Sequence, residues 1–196
     1  MPTINDALNL VLPIRSDENG AQLYAFHTPI SREVFEANYR LLGAVKANLM
    51  SKGPAYNVSS GPIVAALTLK DEGRKDAADN GENGDGGASA LLNELKRLTV
   101  VLAPTSAGWE TLPIDAAISQ GYIDAEEWSE TESAIVFFTC LCAMARRADK
   151  ANFAAGAASI LRGSITSSAA MAYAVSLPSS TTSATSASKA ASSVPC

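Results

Sequence analysis

The stretch SETESAIVFFTCLCAMARR, from Ser129 to Arg147, decides the predicted fold. Ser129 and Glu132 have the spacing of a capping box, in which each side chain bonds the other residue's free backbone amide. The acidic start and basic end of the stretch match the charge preferences of the two ends of a helix. Its apolar run, Ala134 to Ala145, has 12 residues, whereas a helix needs roughly 20 to cross a bilayer. We therefore expect a buried central helix, and no membrane as a partner.

Patterns outside this stretch extend the helical interpretation. Arg32 to Ser51 places large apolar residues three and four positions apart, directly after Ser31, which can cap the helix. Ser89 to Val101 and Ser167 to Leu177 also have a helical spacing of apolar residues. Two short apolar runs around a cluster of turn formers predict a β-hairpin between Leu8 and Phe26. The predicted fold class is thus mostly α, a small helical domain with a short N-terminal β-hairpin.

Two segments of low complexity set the predicted domain organisation. Residues 71–87 contain six acidic residues and five glycines, and no hydrophobic residue larger than alanine, which predicts a flexible acidic, Gly-rich loop. In residues 179–196, 14 of 18 positions are Ser, Thr or Ala. Such a composition cannot bury enough apolar surface to offset the entropy of ordering the chain. We therefore expect a single helical domain over residues 1–177 and a Ser/Thr/Ala-rich disordered tail over 178–196.

The charge of the chain limits its partners. The formal net charge is -5, the isoelectric point is near 4.9, and basic residues form no cluster larger than pairs such as Arg146 and Arg147. A surface that follows nucleic-acid phosphates has little support, so we expect no nucleic acid as a partner. The first residues lack the basic region and long apolar run of a secretory signal, which favours a protein that stays in the cytoplasm.

Residues capable of catalysis are few in this sequence. His27 is the only histidine and could act as a general base, but no motif supplies an activated nucleophile beside it. Cys140 and Cys142 point to different sides of a helix, so they suit core positions better than a disulfide or a shared metal ion. The carboxylates of Asp124, Glu126 and Glu127 precede a helix start, where negative charge is stabilising. We predict no enzyme, no cofactor and no metal site.

Two stretches resemble a known family, the tail assembly chaperones of long-tailed, lambda-type bacteriophages. The first is LYAFHTPISREVFEANYRLLGAVKA, Leu23 to Ala47, and the second is the run from Ser129 to Thr181. The resemblance implies a non-enzymatic, largely helical protein that works in the host cytoplasm and is absent from the mature virion. It also implies the tape measure protein as a partner, and the tail tube protein as a second one, often contacted by a longer frameshifted product.

The resemblance leads to a hypothesis about the partner-binding residues. Tyr39 and Arg40, on the exposed side of the helix from Arg32, and Trp128, near the C-terminal helices, are expected to contact the tape measure protein. A structural virion protein, such as a minor tail or head-tail joining component, is the main alternative. An enzyme in which His27 meets an Asp or Glu, and a regulatory or adaptor domain, stay open, as does self-association into a homo-oligomer.

Overall fold

The computed structural model describes residues 8–17, 20–105 and 108–177. Within these residues the chain forms five strands and eight helices. In chain order they are β1 (Asn9–Asp17), β2 (Gly20–His27), α1 (Arg32–Ser51), α2 (Pro54–Ser59), α3 (Gly61–Asp79), α4 (Ala88–Arg97), β3 (Thr99–Thr105), β4 (Gly108–Pro113), α5 (Ile114–Ser119), α6 (Ala125–Cys142), α7 (Lys150–Ile160), β5 (Ser164–Thr166) and α8 (Ala170–Ser176).

The strands form one antiparallel sheet in the order β4-β3-β2-β1-β5. β1 and β2 make the hairpin that the sequence predicts, with Leu10 beside His27 and Val11 beside Phe26. β3 pairs with β2 after a long connection that contains four helices, and β4 follows β3 in a second hairpin. β5 closes the other edge by placing Ile165 beside Leu10. The central strands therefore join parts of the chain that are distant in sequence.

Both faces of the sheet are covered. Because neighbouring residues on a strand point to opposite faces, Leu10 and Leu12 enter the main core beneath the helices, whereas Val11 enters a small cluster on the other face. Phe26 lies in the same small cluster, and its ring centroid is 6.4 Å from that of Tyr173. The short helix α8 thus covers the outer face, and the longer helices cover the inner one.

α6 is the central helix of the inner layer, as the sequence predicts. Residues 135–140 are all buried, including Phe137 and Phe138. The helix begins one turn earlier than predicted, because the capping box is formed by Asp124 and Glu127 rather than by Ser129 and Glu132. The carboxylates at this helix start therefore have the structural role that their position indicates.

The predicted fold class is wrong. The chain has an α/β fold with a five-stranded sheet, and not a small helical domain with one hairpin. The helix predicted from Ser89 to Val101 ends at Arg97, and β3 begins at Thr99. The residues before the last predicted helix form β5, and α8 packs on the outer face of the sheet. Burial of β3 on both faces explains the first error, because it gives a strand without polar alternation.

The acidic segment 71–87 is also more ordered than its composition indicates. α3 continues through its first half to Asp79, with Gly73 and Ala77 on its buried side. The remainder is a compact turn in which Gly81, Gly84, Gly86 and Gly87 have positive φ angles. The predicted tail, residues 178–196, lies outside the described residues.

Candidate partner-binding groove

A groove of about 840 Å³ lies where α2, α3, α6 and the end of α7 meet. Its aliphatic walls are formed by Val58, Ile63, Ala134, Ile160 and Leu161. Val58 and Ile63 are 59% and 67% exposed, which is unusual for large aliphatic side chains on neighbouring helices. Leu67, one turn beyond Ile63 on α3, is 66% exposed and extends the apolar surface. Adjacent exposed aliphatic side chains of this kind are typical of protein-protein contact sites.

The apolar groove surface arises from an inverted side-chain pattern on α3. The exposed side carries Ile63 and Leu67 at a spacing of four, whereas the buried side is mostly small: Gly61, Ala65, Ala66, Leu69, Gly73 and Ala77. A Cβ on Gly61 would lie only 2.8 Å from Phe137 Cε2, so the small residues let α3 approach α6 closely. A helix that only covers a core places its large apolar residues inward. The pattern of α3 suits a helix with a partner on each side.

The break between α2 and α3 brings Val58 to the same groove as Ile63. Pro54 and Pro62 occupy the first turns of the two helices, where a missing amide proton removes no helical hydrogen bond. The chain turns at Ser60, whose amide bonds the carbonyl of Tyr56 at 2.8 Å. Two short helical faces are thereby joined into one apolar wall.

The buried hydroxyl of Ser133 joins two of the helices that form the groove. Ser133 Oγ of α6 donates to the carbonyl of Ile63 at 2.8 Å and accepts from the amide of Ala66 at 3.2 Å. Ser133 is buried, and its two contacts join α6 to the first turns of α3. Because a buried hydroxyl must find partners, this pair of hydrogen bonds sets the position of Ile63 relative to α6.

Two opposite charges also line the groove, Glu130 of α6 and Arg162 just after α7. Both side chains are exposed. Neither forms an ion pair with another residue in the described ranges, although eight other ion pairs are present there. The groove therefore offers an anion and a cation to a partner.

The residues predicted to bind a partner lie on two different helices, α1 and α6. Tyr39 is 58% exposed on α1, and Arg40 beside it pairs with Asp76 of α3 at 2.7 Å. Trp128 lies in the first turns of α6, half-buried against the two larger core clusters.

The groove residues were missed because their spacing has two interpretations. Ile63 and Leu67 stand four apart, which is equally typical of a buried stripe and of an exposed one. The sequence signal that separates the two is the alanine and glycine stripe on the opposite side of the same helix.

His27 is a fully buried residue at the end of β2. Its Nδ1 lies 2.9 Å from Thr99 Oγ1, and the Thr99 hydroxyl donates to the carbonyl of Leu95 at 2.7 Å. Since the single hydroxyl proton of Thr99 is used by Leu95, Nδ1 must be the donor to Thr99, and the lone pair is on Nε2. Nε2 has no hydrogen-bond partner in the described structure, and burial lowers the pKa of His27 to about 3. The described residues do not bring His27 together with an Asp or Glu.

The two described cysteines, Cys140 and Cys142, are free and buried in α6. Burial raises the pKa of each thiol to about 12, so both stay protonated at neutral pH and are poor nucleophiles. Their prediction as core residues is confirmed.

No family model matches this chain, and neither a curated protein nor a solved structure does.

Among the helices of the described residues, none combines the length and the apolar character that a membrane span requires.

Proposed function

We propose that this protein is a phage tail assembly chaperone that binds the tape measure protein, keeps it soluble and promotes assembly of the tail tube, with the tail tube protein as a second partner. It would act in the host cytoplasm and be absent from the finished particle. The observation that carries the proposal is the exposed aliphatic surface made by Val58 and Ile63 in the groove wall, together with Leu67 one turn further along α3. A chaperone for a long, apolar helical partner needs such a surface, and an amphipathic helix laid into a groove is a common way to meet it.

The resemblance in sequence gives independent support. The second resembling run, Ser129 to Thr181, includes the part of α6 and α7 that lines the groove, with Ala134, Ile160 and Leu161. The proposed binding surface therefore lies partly in this run and partly on α2 and α3, outside both resembling stretches.

The size of the apolar wall sets the expected affinity. Complete burial of one large aliphatic side chain is worth about 1.5–3 kcal/mol, so three that are about two-thirds exposed offer roughly 3–6 kcal/mol before the entropy of association is subtracted. That gain alone gives a weak complex. Tight binding therefore requires further contacts along the partner, which suits a long partner that several chaperone molecules can cover.

The proposal is tested by co-expression with the tape measure protein encoded in the same genome, followed by affinity purification and size-exclusion chromatography. The double variant Ile63→Gln, Leu67→Gln should lose at least tenfold in bound tape measure protein, because both side chains are exposed and both apolar contacts are removed. Its thermal midpoint should be unchanged. Met171→Gln, Val175→Gln is the matched control, since these are exposed apolar residues of α8 on the other side of the molecule. The control should bind as well as the wild type.

Other outcomes separate the alternatives. A wild-type chain that never co-purifies with the tape measure protein refutes the proposal. Mass spectrometry of purified particles distinguishes a chaperone, which is absent from them, from a structural virion protein, present at a fixed copy number. If the wild type is an oligomer and the Ile63, Leu67 variant becomes a monomer without any change in tape measure binding, the groove joins copies of this chain instead.

A further inference from the structure

α7 ends in a conformation that glycine normally supplies. The amide of Gly163 donates to the carbonyl of Ala158 at 2.8 Å, and the amide of Arg162 donates to the carbonyl of Ser159 at 3.1 Å. These are the two hydrogen bonds of a Schellman motif, with Arg162 at the position that takes left-handed φ and ψ angles. Arg162 has φ of 54° and is the one non-glycine residue with positive φ in the described ranges. An L side chain in this region is strained, whereas glycine is not.

The glycine next to it is needed for a different reason. A Cβ on Gly163 would lie 2.5 Å from the carbonyl oxygen of Val11 and 2.8 Å from Leu12 Cδ2, so the close approach of the chain to β1 requires glycine there. This contact explains Gly163, but it gives no reason for a side chain at position 162. A Gly-Gly pair would satisfy both the turn and the contact with less strain.

The side chain of Arg162 has no role within the described fold. It is exposed, forms no ion pair or hydrogen bond with another described residue, and lines the groove beside Ile160 and Leu161. Backbone strain that persists without a structural benefit is typical of functional positions. The guanidinium is thus held at the groove at a cost to stability.

We infer that Arg162 is the specificity residue of the groove, and that its guanidinium pairs with a carboxylate on the bound helix of the tape measure protein. This inference rests on the proposed function. The bound segment is then an amphipathic helix whose aliphatic side chains, three and four positions apart, meet Ile63 and Leu67, with an Asp or Glu beside that stripe. Arginine suits this role because its planar fork can hold both carboxylate oxygens, and the apolar surroundings strengthen the pair.

Glu130 in the same groove adds a second criterion for the partner. A carboxylate placed near Glu130 would be repelled, whereas a lysine or arginine there would be attracted. The groove thus accepts a helix with an acidic and a basic residue in one order and opposes the reverse order. Purely apolar helices gain neither contact, which separates the intended partner from other helical proteins in the cell.

The test is Arg162→Gly. This variant should be more stable than the wild type but bind the tape measure protein less tightly, so a loss of binding cannot be explained by a loss of stability. Removing the strain should raise the thermal midpoint by about 2–4 °C, the shift expected for 1 kcal/mol in a chain of this size. Losing the guanidinium should weaken binding to the purified tape measure protein about tenfold, and added salt should have less effect on the variant than on the wild type. Arg162→Lys keeps the charge but lacks the planar fork, so its affinity should lie between those of Arg162→Gly and the wild type. Arg32→Gln, which removes an exposed charge from the start of α1, is the control for net charge.

Each outcome has a defined meaning. If Arg162→Gly is more stable and binds the tape measure protein as well as the wild type, the specificity role of Arg162 is refuted while the proposed function stands. If Arg162→Gly and Arg32→Gln weaken binding equally, the effect is one of overall charge and the inference fails. If the wild type does not bind the tape measure protein at all, the proposed function fails, and this inference fails with it. Loss of affinity in Arg162→Gly alone, together with a raised midpoint, supports it.

Discussion

Replacing Gly73 by alanine is expected to destabilise this protein, although alanine is normally favoured over glycine in a helix. Gly73 lies on the buried side of α3, where a Cβ would overlap the carbonyl oxygen of Asp85 and lie 2.8 Å from the Cβ of Ala88. From the other side, a Cβ on Gly86 would lie 2.5 Å from the carbonyl oxygen of Gly73. The backbone of α3 and the turn before α4 are thus in direct contact.

The size of this destabilisation depends on the groups that a Cβ on Gly73 would displace. Asp85 accepts the amide of Ala88 at 2.9 Å through its carbonyl, and its carboxylate accepts the amides of Gly87 and Ser89. Overpacking of this kind costs about 1–3 kcal/mol, and disturbing a helix cap adds about 1 kcal/mol. The higher helix propensity of alanine stabilises the folded state by about 1 kcal/mol and offsets part of this loss. The net expectation for Gly73→Ala is a loss of about 2 kcal/mol.

Gly156→Ala is the matched control. Gly156 lies in the interior of α7, and a Cβ there would meet nothing within 4 Å. This substitution should stabilise the protein by about 0.5–1 kcal/mol. Urea denaturation followed by circular dichroism gives both free energies of unfolding, and an unchanged m-value shows that the comparison is valid. If Gly73→Ala is as stable as the wild type or more so, the turn before α4 does not pack on α3 and is the flexible loop that its composition predicts.

Two further predictions concern buried polar groups. The folded pKa of His27 is lowered to about 3 from an ordinary 6.5, so below pH 6.5 the unfolded chain binds a proton that the folded chain does not. The free energy of unfolding should therefore fall by roughly 1.5 kcal/mol between pH 6.5 and 5. In urea titrations, His27→Gln should remove most of this dependence of stability on pH. An equal dependence in both proteins would show that another group is responsible. Ser133→Ala should cost about 1–2 kcal/mol, because it removes the two hydrogen bonds between α6 and α3. Ser59→Ala, an exposed serine, is its control, and equal midpoints for the two variants would contradict the role given to Ser133.

Local signals in the sequence predicted some elements correctly. The hairpin of β1 and β2 follows from apolar runs around a turn, and Ser31 caps α1 by accepting the amide of Val34. Each of these features depends on residues within a few positions of one another, so the sequence contains the whole signal.

The errors arise where distant contacts decide the structure. β3 is apolar from Val100 to Ala103 because helices cover one face and α8 the other, and such a run has no alternation to separate it from a helix. The last turns of α3 are rich in charged residues and glycine, but only Gly73 and Ala77 need to face inward. The sequence also did not predict the groove, because the exposure of Ile63 depends on where α6 and α7 lie.

The order of strands in the sheet has a consequence for synthesis on the ribosome. β1 gains β2 as a neighbour almost at once, but its other edge stays open until β5 is made, since Ile165 pairs with Leu10. During that interval the nascent chain exposes an unpaired strand edge, which favours incorrect pairing with other chains. The same topology permits exchange of β5 and α8 between two molecules, in which these elements keep their contacts with the sheet. β5 and α8 are therefore the last described elements that the sheet needs, and the elements through which two copies can interlock.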